Sequence, residues 1–470
     1  MKIKNILHLL SVAVILGLPS CEKYVDIKTQ GNLVPGDIAN YRALLNGTSS
    51  FENGPQIGDL SSDDVQLVDG STQQITLSSD TYTYWKSAYS WQPVLYPIGS
   101  TTLQTDNNWN QMYNAIAYCN TIIGELPTAT GGEAEKKALT AEALVHRADA
   151  YLMLMNTYAQ PYTASTAGTD LGVPMVLTQT VSQSLKRPSS QSVYDQILKD
   201  LKTAVGNLPA AQAFNTLPSK ASAYGELARC YLYMNDYSSA NKYADSTLAI
   251  RSTLNDLSLL TTINSATYPI RRSDPEILLS KIAVGGISSF APTVMRLSDD
   301  LLNILGTKDQ RYSLFTVPAS TISSNYVLAS GRYFFRDRAM NEARNIGPNV
   351  PEMMLIKAEY YARNNDPSSA MLWVNSLRKK RFKALDYAEL VATSGSEALK
   401  VVIEERRREF FCRMLRWWDM RRLKSEVPFQ RNYTRVFSGT TYTLSPTSNR
   451  YTFQIPPYQI QLSPEIEQNP

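Results

Sequence analysis

From Trp109 onward the apolar positions fall into a helical rhythm. Trp109, Met112, Tyr113, Ile116 and Ile123 recur at helical spacing, as do Leu144, Ala148, Tyr151, Leu152 and Met155, and each set predicts an amphipathic helix. A third helix carries Val193, Tyr194, Ile197, Leu198, Leu201, Ala204, Val205 and Leu208 on one face and stops at Pro209. Tyr224, Leu227, Ala228 and Tyr231 line up on the next, followed by the turn Asn235-Asp236-Tyr237 and a helix with Ala240 and Ala244. The same offsets return at Ala358, Tyr361, Ala370 and Val374, where Asp366-Pro367 reads as an N-cap followed by proline at the first helical position.

A bulky residue, then Leu and a small residue, then Tyr, with alanine downstream, is the spacing of tetratricopeptide repeats. Small residues let two helices approach while Tyr and Leu fill the groove between neighbouring hairpins. Paired helices are therefore predicted at about 219 to 250 and 350 to 380, and Leu144, Ala148 and Tyr151 repeat the first-helix half in 139 to 159. Residues 22–100 hold Gly31, Pro35, Gly47, Gly54, Pro55 and Gly58 around one short helical pattern from Ile38 to Leu45 and read as an extended stretch wrapping the rest. Residues 251–345 change to short mixed segments, with Gly285-Gly286, Tyr326-Val327-Leu328 and Tyr333-Phe334-Phe335, and read as a loop-rich insertion with a few short strands. The expected fold is mostly α: an α/α superhelix of tetratricopeptide-like helix pairs with a loop-rich insertion and minor short strands. As one domain, 21–470, it comprises the extended stretch 22–100, helical repeats 101–250, the insertion 251–345, further repeats 346–425 and a C-terminal segment 426–470.

The first 20 residues stand apart. Lys2 and Lys4 precede a short apolar core, Leu9 to Leu18, too short to span a bilayer, and the stretch reads as a signal peptide. Leu18-Pro19-Ser20-Cys21 matches a lipobox, which makes Cys21 the lipidated first residue of the mature chain. Removing residues 1–20 takes away two lysines and no acids, so the formal charge falls from +4 to +2, and no nucleic-acid partner is expected. With 43% hydrophobic and 19% charged residues, the chain can bury a large core. Cys119, Cys230 and Cys412 show no metal-ligand spacing and read as buried thiols, with one disulfide left open. Of two histidines, His8 lies in the signal and His146 in a mid-helix pattern where a structural role outweighs a general base, so no multi-histidine metal site can form. No metal or organic cofactor is implied, and no calcium-loop motif is readable.

Candidate chemistry concentrates before the first long helix. The stretch Tyr82 to Trp91, extended by Tyr96, crowds aromatic rings among polar residues, and sugars present C–H faces that stack on such rings. Trp85, Tyr89, Trp91 and Tyr96 are the candidate ligand contacts, against the alternative that each ring packs this stretch onto the scaffold. Asp63-Asp64 raises the question of paired glycosidase carboxylates, but adjacency in sequence does not set that geometry, and surface loop carboxylates or acceptors for sugar hydroxyls fit better. The run Glu404 to Glu409 reads as a solvated or internally paired helix, for example through Glu409 and Arg413.

Several motifs, taken in order, resemble those of SusD/RagB lipoproteins. They include Cys21-Glu22-Lys23-Tyr24-Val25-Asp26-Ile27, Trp109-x2-Met112-Tyr113, Arg147-Ala148-x2-Tyr151 followed by Tyr158 and Pro161, and Gly172-Val173-Pro174-Met175-Val176. Arg187-Pro188-Ser189, Tyr194-x2-Ile197-x2-Asp200-Leu201-x2-Ala204, Glu405 to Phe410, Arg416-Trp417-Trp418-Asp419-Met420-Arg421 and the ending Ile455-Pro456 to Gln468-Asn469-Pro470 complete the set. Arg413-Met414 and Ser463-Pro464 depart from the family's usual Glu-Gly and Asn-Pro. The resemblance implies a lipid-anchored, cell-surface binding protein of the outer membrane that captures oligosaccharides, or in some relatives peptides, for a TonB-dependent, SusC-like transporter. It implies no catalysis, against the competing expectation of a secreted glycan hydrolase, and a packing role for Trp417 and Trp418.

Overall fold

The computed structural model describes residues 36–96, 106–180, 183–283, 295–322 and 330–470. Five short helices come first: α1 (Ile38–Leu45), α2 (Thr48–Phe51), α3 (Ile57–Ser61), α4 (Thr72–Leu77) and α5 (Thr83–Tyr89). The long helices α6 (Asn107–Glu125), α7 (Glu133–Tyr158) and α8 (Ser190–Val205) follow, then the pair α9 (Lys220–Tyr233) and α10 (Tyr237–Leu248). Short helices α11 (Asp299–Leu305), α12 (Gln310–Phe315) and α13 (Arg336–Met340) occupy the insertion. The second pair, α14 (Val350–Arg363) and α15 (Pro367–Arg378), precedes α16 (Gly395–Phe410), α17 (Leu415–Leu423) and the terminal α18 (Pro457–Leu462). Six short strands complete the described fold: β1 (Asn53–Gly54), β2 (Ile282–Ala283), β3 (Thr316–Pro318), β4 (Arg332–Phe334), β5 (Tyr433–Phe437) and β6 (Thr440–Leu444). They pair as β1 with β2 in parallel, and as the antiparallel ribbons β3–β4 and β5–β6.

Both predicted hairpins form, and they repeat one another in detail. Asn235 and Asn365 turn the chain in the left-handed region, at φ 60 and 57. Asp236 and Asp366 then cap the second helix, each accepting a 3.0 Å bond from a backbone N–H three residues on. Ala228, Ala240, Ala244, Ala358 and Ala370 are all fully buried, as close helix packing requires. Helix α10 packs on α14, so the two pairs stack on each other. From Leu139 on, α7 is buried around most of its circumference, which requires its charged residues to be paired. Glu142 meets Arg42 at 2.8 Å, Arg147 meets Asp200 at 2.7 Å, and Asp149 meets Lys281 at 2.7 Å. His146 is a core residue, stacked 4.8 Å from Phe51, and Cys119, Cys230 and Cys412 are free and buried.

Three expectations are corrected. The stretch 36–96 is not extended but winds into α1 to α5, of which α1 and α2 pack on the long helices α7 and α6, α3 on α5 and α17, and α4 on α5. Gly58 serves close approach rather than turning, since a Cβ there would lie 2.7 Å from both Met414 and Trp417. Helix α16 is not a solvated face: Glu405 and Glu409 both bond Arg311 at 2.7 Å, and Glu409 also meets Arg381 at 2.8 Å. Only the Arg408 pairs with Glu404 and Glu405 stay within the helix. Asp63 and Asp64, finally, are not surface carboxylates but belong to an internal arginine cluster. Cys21, Gly285-Gly286 and Tyr326-Val327-Leu328 lie outside the described residues. No helix among the described residues is long and apolar enough to cross a membrane.

Candidate ligand-binding cleft

Four stretches far apart in sequence meet around a cavity of about 660 Å³: residues 63–69 after α3, Tyr89 and Trp91 at the end of α5, residues 296–300 leading into α11, and residues 431–441 of the β5–β6 ribbon. The backbone fastens the first stretch to the third, since Gln66 N–H donates to Arg296 O at 3.0 Å and Ser298 N–H to Asp64 O at 2.7 Å. The ribbon turns at Ser438-Gly439, both at positive φ, the conformation that suits a tight hairpin. One side chain of that ribbon, Arg435, binds it to the other walls. Its guanidinium donates to the carbonyls of Leu60, Tyr89, Ser62 and Val65 and lies 4.3 Å from the Tyr89 ring and 4.2 Å from the Trp91 ring. Burial lowers its pKa to about 10. It holds both rings in one orientation, aided by the Trp91 indole N–H donating to Ser61 O at 2.9 Å and Tyr89 OH accepting from Leu67 N–H at 2.8 Å.

Beside the rings lies a charged knot. Asp63 accepts from Arg416 at 2.6 and 2.8 Å and from Arg431 at 2.5 Å, with Arg407 at 3.4 Å. Burial alone would push its carboxyl up, but Arg407, Arg416 and Arg431 together hold it well below the usual carboxylate range. Asp64, fully buried, accepts from Arg407 Nε at 2.7 Å, and burial carries its carboxyl up to about 6, against the pull of Arg407 and with the help of the Asp63 charge. Toward solvent the cavity is lined by Gln66, Asp69, Asp299, Asp300, Asn432 and Thr434, and by Tyr433, whose ring carries the Arg431 guanidinium at 4.4 Å. A smaller cavity of about 260 Å³ adjoins it, sharing Arg431 and Tyr433.

The six candidate contacts divide between two places. Tyr89, Trp91 and Asp63 line the cleft, and Asp64 sits behind its wall. Trp85 and Tyr96 do not line it. Trp85 packs edge-on against Tyr84 at 5.0 Å, and Tyr96 joins Tyr84 and Tyr158 in donating phenol hydroxyls to the single carboxylate of Asp106. That knot of hydroxyls fixes α5 to the long helices. Trp417 is stacked between Tyr451 and Phe453, each at 5.5 Å, and with Trp418 lies in the core. Sequence reasoning missed residues 431–441, although the alternation of Tyr433, Arg435 and Phe437 with exposed neighbours, followed by Ser438-Gly439, is a legible hairpin signal. No group of three or more His, Cys, Asp or Glu side chains among the described residues could hold a metal ion.

Residues 48–232 match a family model described as starch-binding associating with outer membrane, and residues 350–470 one described as SusD family. SusD-like protein P2 of Formosa agariphila is 26% identical over 386 residues, covering 70% of this chain and 74% of its own. SusD-like protein P38 of the same organism is 24% identical over 378 residues, covering 68% and 72%. Among solved structures, a SusD superfamily protein from Bacteroides thetaiotaomicron superposes with a TM-score of 0.69 at 19% identity, over 92% of this chain and 100% of that one. A SusD-like carbohydrate binding protein from Bacteroides vulgatus gives 0.68 at 18% over 92% and 97%, and a laminarin binding SusD-like protein 0.64 at 16% over 92% and 98%.

Proposed function

The chain belongs to the SusD/RagB family, and on that premise we propose that it binds oligosaccharides in the cleft beneath β5 and β6 and passes them to a TonB-dependent, SusC-like transporter, held at the outer membrane by lipid on Cys21. The cleft carries this reading. It sets the half-buried ring of Tyr433 among amide, hydroxyl and carboxylate groups, with Trp91 and Tyr89 in the wall behind, the combination that pyranose C–H faces and hydroxyls require. Binding without catalysis fits the same residues. Hydrolysis of a glycosidic bond needs two carboxyl groups converging on it, one of them kept protonated. Asp63 is ionised and engaged by arginines, while Asp64, the carboxyl with a raised pKa, is fully buried outside the cavity lining and bonded to Arg407.

Glycan-array screening and calorimetry on the chain from residue 22 onward test the reading. A glycan should bind, and Tyr433→Ala should cost about 2 kcal/mol or more, on the order of thirtyfold in affinity. Trp85→Ala should act on stability and leave the affinity of the folded fraction unchanged. Peptides binding where no glycan does would replace the cargo, and undiminished affinity in Tyr433→Ala would move the site elsewhere.

A further inference from the structure

We infer that the cleft is double and that its smaller compartment reads an acidic sugar unit, a uronate or another carboxylate-bearing residue of the bound glycan, through Arg431 and Lys400. This rests on the glycan-binding reading and adds a charge preference to it.

The smaller cavity, about 260 Å³, lies on the far side of Arg431 and Tyr433 from the main one. Pockets that hold drug-sized ligands begin at about 300 Å³, so this one suits a single ring or side branch. Its two kinds of wall are complementary to such a unit. Met420, Leu423 and Phe429 offer an apolar surface, and Lys400, Arg407, Arg416 and Arg431 a cationic one. Apolar surface suits the C–H face of a pyranose, and guanidinium and ammonium groups suit a carboxylate on its edge.

The cationic wall is not neutralised from within. Asp63 supplies one full negative charge to three guanidiniums, those of Arg407, Arg416 and Arg431. Asp64 adds a second through Arg407, which leaves one guanidinium and the Lys400 ammonium without a matching carboxylate of this pair. The carboxylates bordering the cavity are committed elsewhere: Asp419 to Arg406 and Arg422 at 2.9 and 2.7 Å, and Glu404 to Arg408 at 3.2 Å. The main cavity differs. Asp69, Asp299 and Asp300 stand on its rim against Arg296 and Arg435. Across Arg431 and Tyr433 the balance of charge among the lining residues therefore tilts from negative to positive.

Arg431 is the member of the set open to a ligand. Its side chain is 46% exposed, whereas those of Arg407 and Arg416 are 4% and 11% exposed. It is braced on the Tyr433 ring and by one bond to Asp63, with the exposed Asp300 carboxylate 4.0 Å away on the main-cavity side. A guanidinium held in place on one side loses little freedom when a carboxylate docks on its free edge.

Calorimetry with matched oligosaccharides tests this: xylo-oligosaccharides with and without glucuronic acid branches, and neutral laminarin against alginate and polygalacturonate oligomers. The acidic member of at least one pair should bind tenfold or more tightly than its neutral counterpart, with a preference that shrinks as salt is raised. Lys400→Gln, at an exposed position, should reduce that preference without changing the affinity for the neutral counterpart, and Arg431→Gln should abolish it. Should Arg431→Gln fail to fold, as circular dichroism would reveal, Lys400→Gln decides alone. Neutral glycans bound as tightly as their acidic partners, or a preference that survives both substitutions, overturn the inference and leave the glycan-binding reading standing. Binding of no glycan of either kind removes both.

Discussion

Asp63 shows what a charge needs around it when it leaves water: three arginines converge on its two oxygens. The arrangement recurs. Arg311, fully buried, meets Asp309, Glu405 and Glu409, and Glu359, also fully buried, meets Arg422 at 2.6 Å and Arg363 at 2.8 Å. Sequence spacing could not reveal these groups, because a helical pattern pairs Glu409 only with neighbours such as Arg413, while its partners Arg311 and Arg381 come from other elements. The pairs set the acid limit of stability. Burial opposes ionisation of Glu359 and Glu405, yet Arg422 and Arg363 for the first, and Arg311, Arg408 and Arg378 for the second, bring both pKa values from 4.5 down to about 2. A depressed pKa contributes stability above the unfolded value that is lost as pH falls through the folded one, so the window runs from about 4.5 to 2 with a slope approaching about 1.4 kcal/mol per pH unit for each group. Glu276, raised by burial to about 7, acts with the opposite sign: the native state retains its proton longer, and stability falls as pH rises from 4.5 to 7. Melting temperature against pH should drop steeply below about 4.5. Glu359→Gln should make that drop shallower while lowering stability at neutral pH, by about 3 to 5 kcal/mol if its arginines stay buried. Identical acid slopes for parent and variant would contradict the assignment.

Elements with their own periodicity and their own caps were legible in the chain, and those made by tertiary contact were not. Helices α9, α10, α14 and α15 declared themselves through alanine and tyrosine offsets and through Asp236 and Asp366, both local signals. Helices α2 to α5 span four to seven residues each, too few to display a 3.6-residue period, and they are stabilised by burying Phe51, Ile57, Leu60 and Tyr84 against elements the local pattern does not contain. The alanine contacts give the paired helices a direct test. Ala228→Phe would force an aromatic ring into a fully buried position of α9 and should lower stability by about 1 to 3 kcal/mol, read from the midpoint of denaturant unfolding. An equivalent change at exposed Ser238 in α10 serves as control, and a midpoint that moves no further for Ala228→Phe than for the control would count against close packing there.

Over the whole molecule, the repeats form a scaffold, and the cleft lies where the chain's two ends return to one another. Residues 63–69 and 89–91 face the ribbon 431–441, and Arg435 binds them through backbone carbonyls. Aromatic crowding pointed from sequence to the first region, but within that region it did not separate the rings that line the cavity, Tyr89 and Trp91, from the packing rings, Trp85 and Tyr96. That distinction depends on which ring Arg435 covers and which hydroxyl Asp106 accepts, and the first is set by contacts over a long sequence separation. The remaining question at this scale is how the body is held at a membrane. The proposed tether is Cys21, fifteen residues before Gly36, where the described body starts, a span of at most about 50 Å even if fully extended. Each buried CH2 of an acyl chain contributes about 0.8 kcal/mol, so more than one chain makes release slow while leaving the protein's own surface unaltered. Among the described residues, none of the cleft lining precedes Asp63. Cys21→Ala should therefore move the protein from the outer-membrane to the soluble fraction, with an unchanged circular dichroism spectrum and unchanged affinity for whatever glycan the parent binds. Continued sedimentation of the Cys21→Ala protein with washed membranes would show that something other than lipid holds it there.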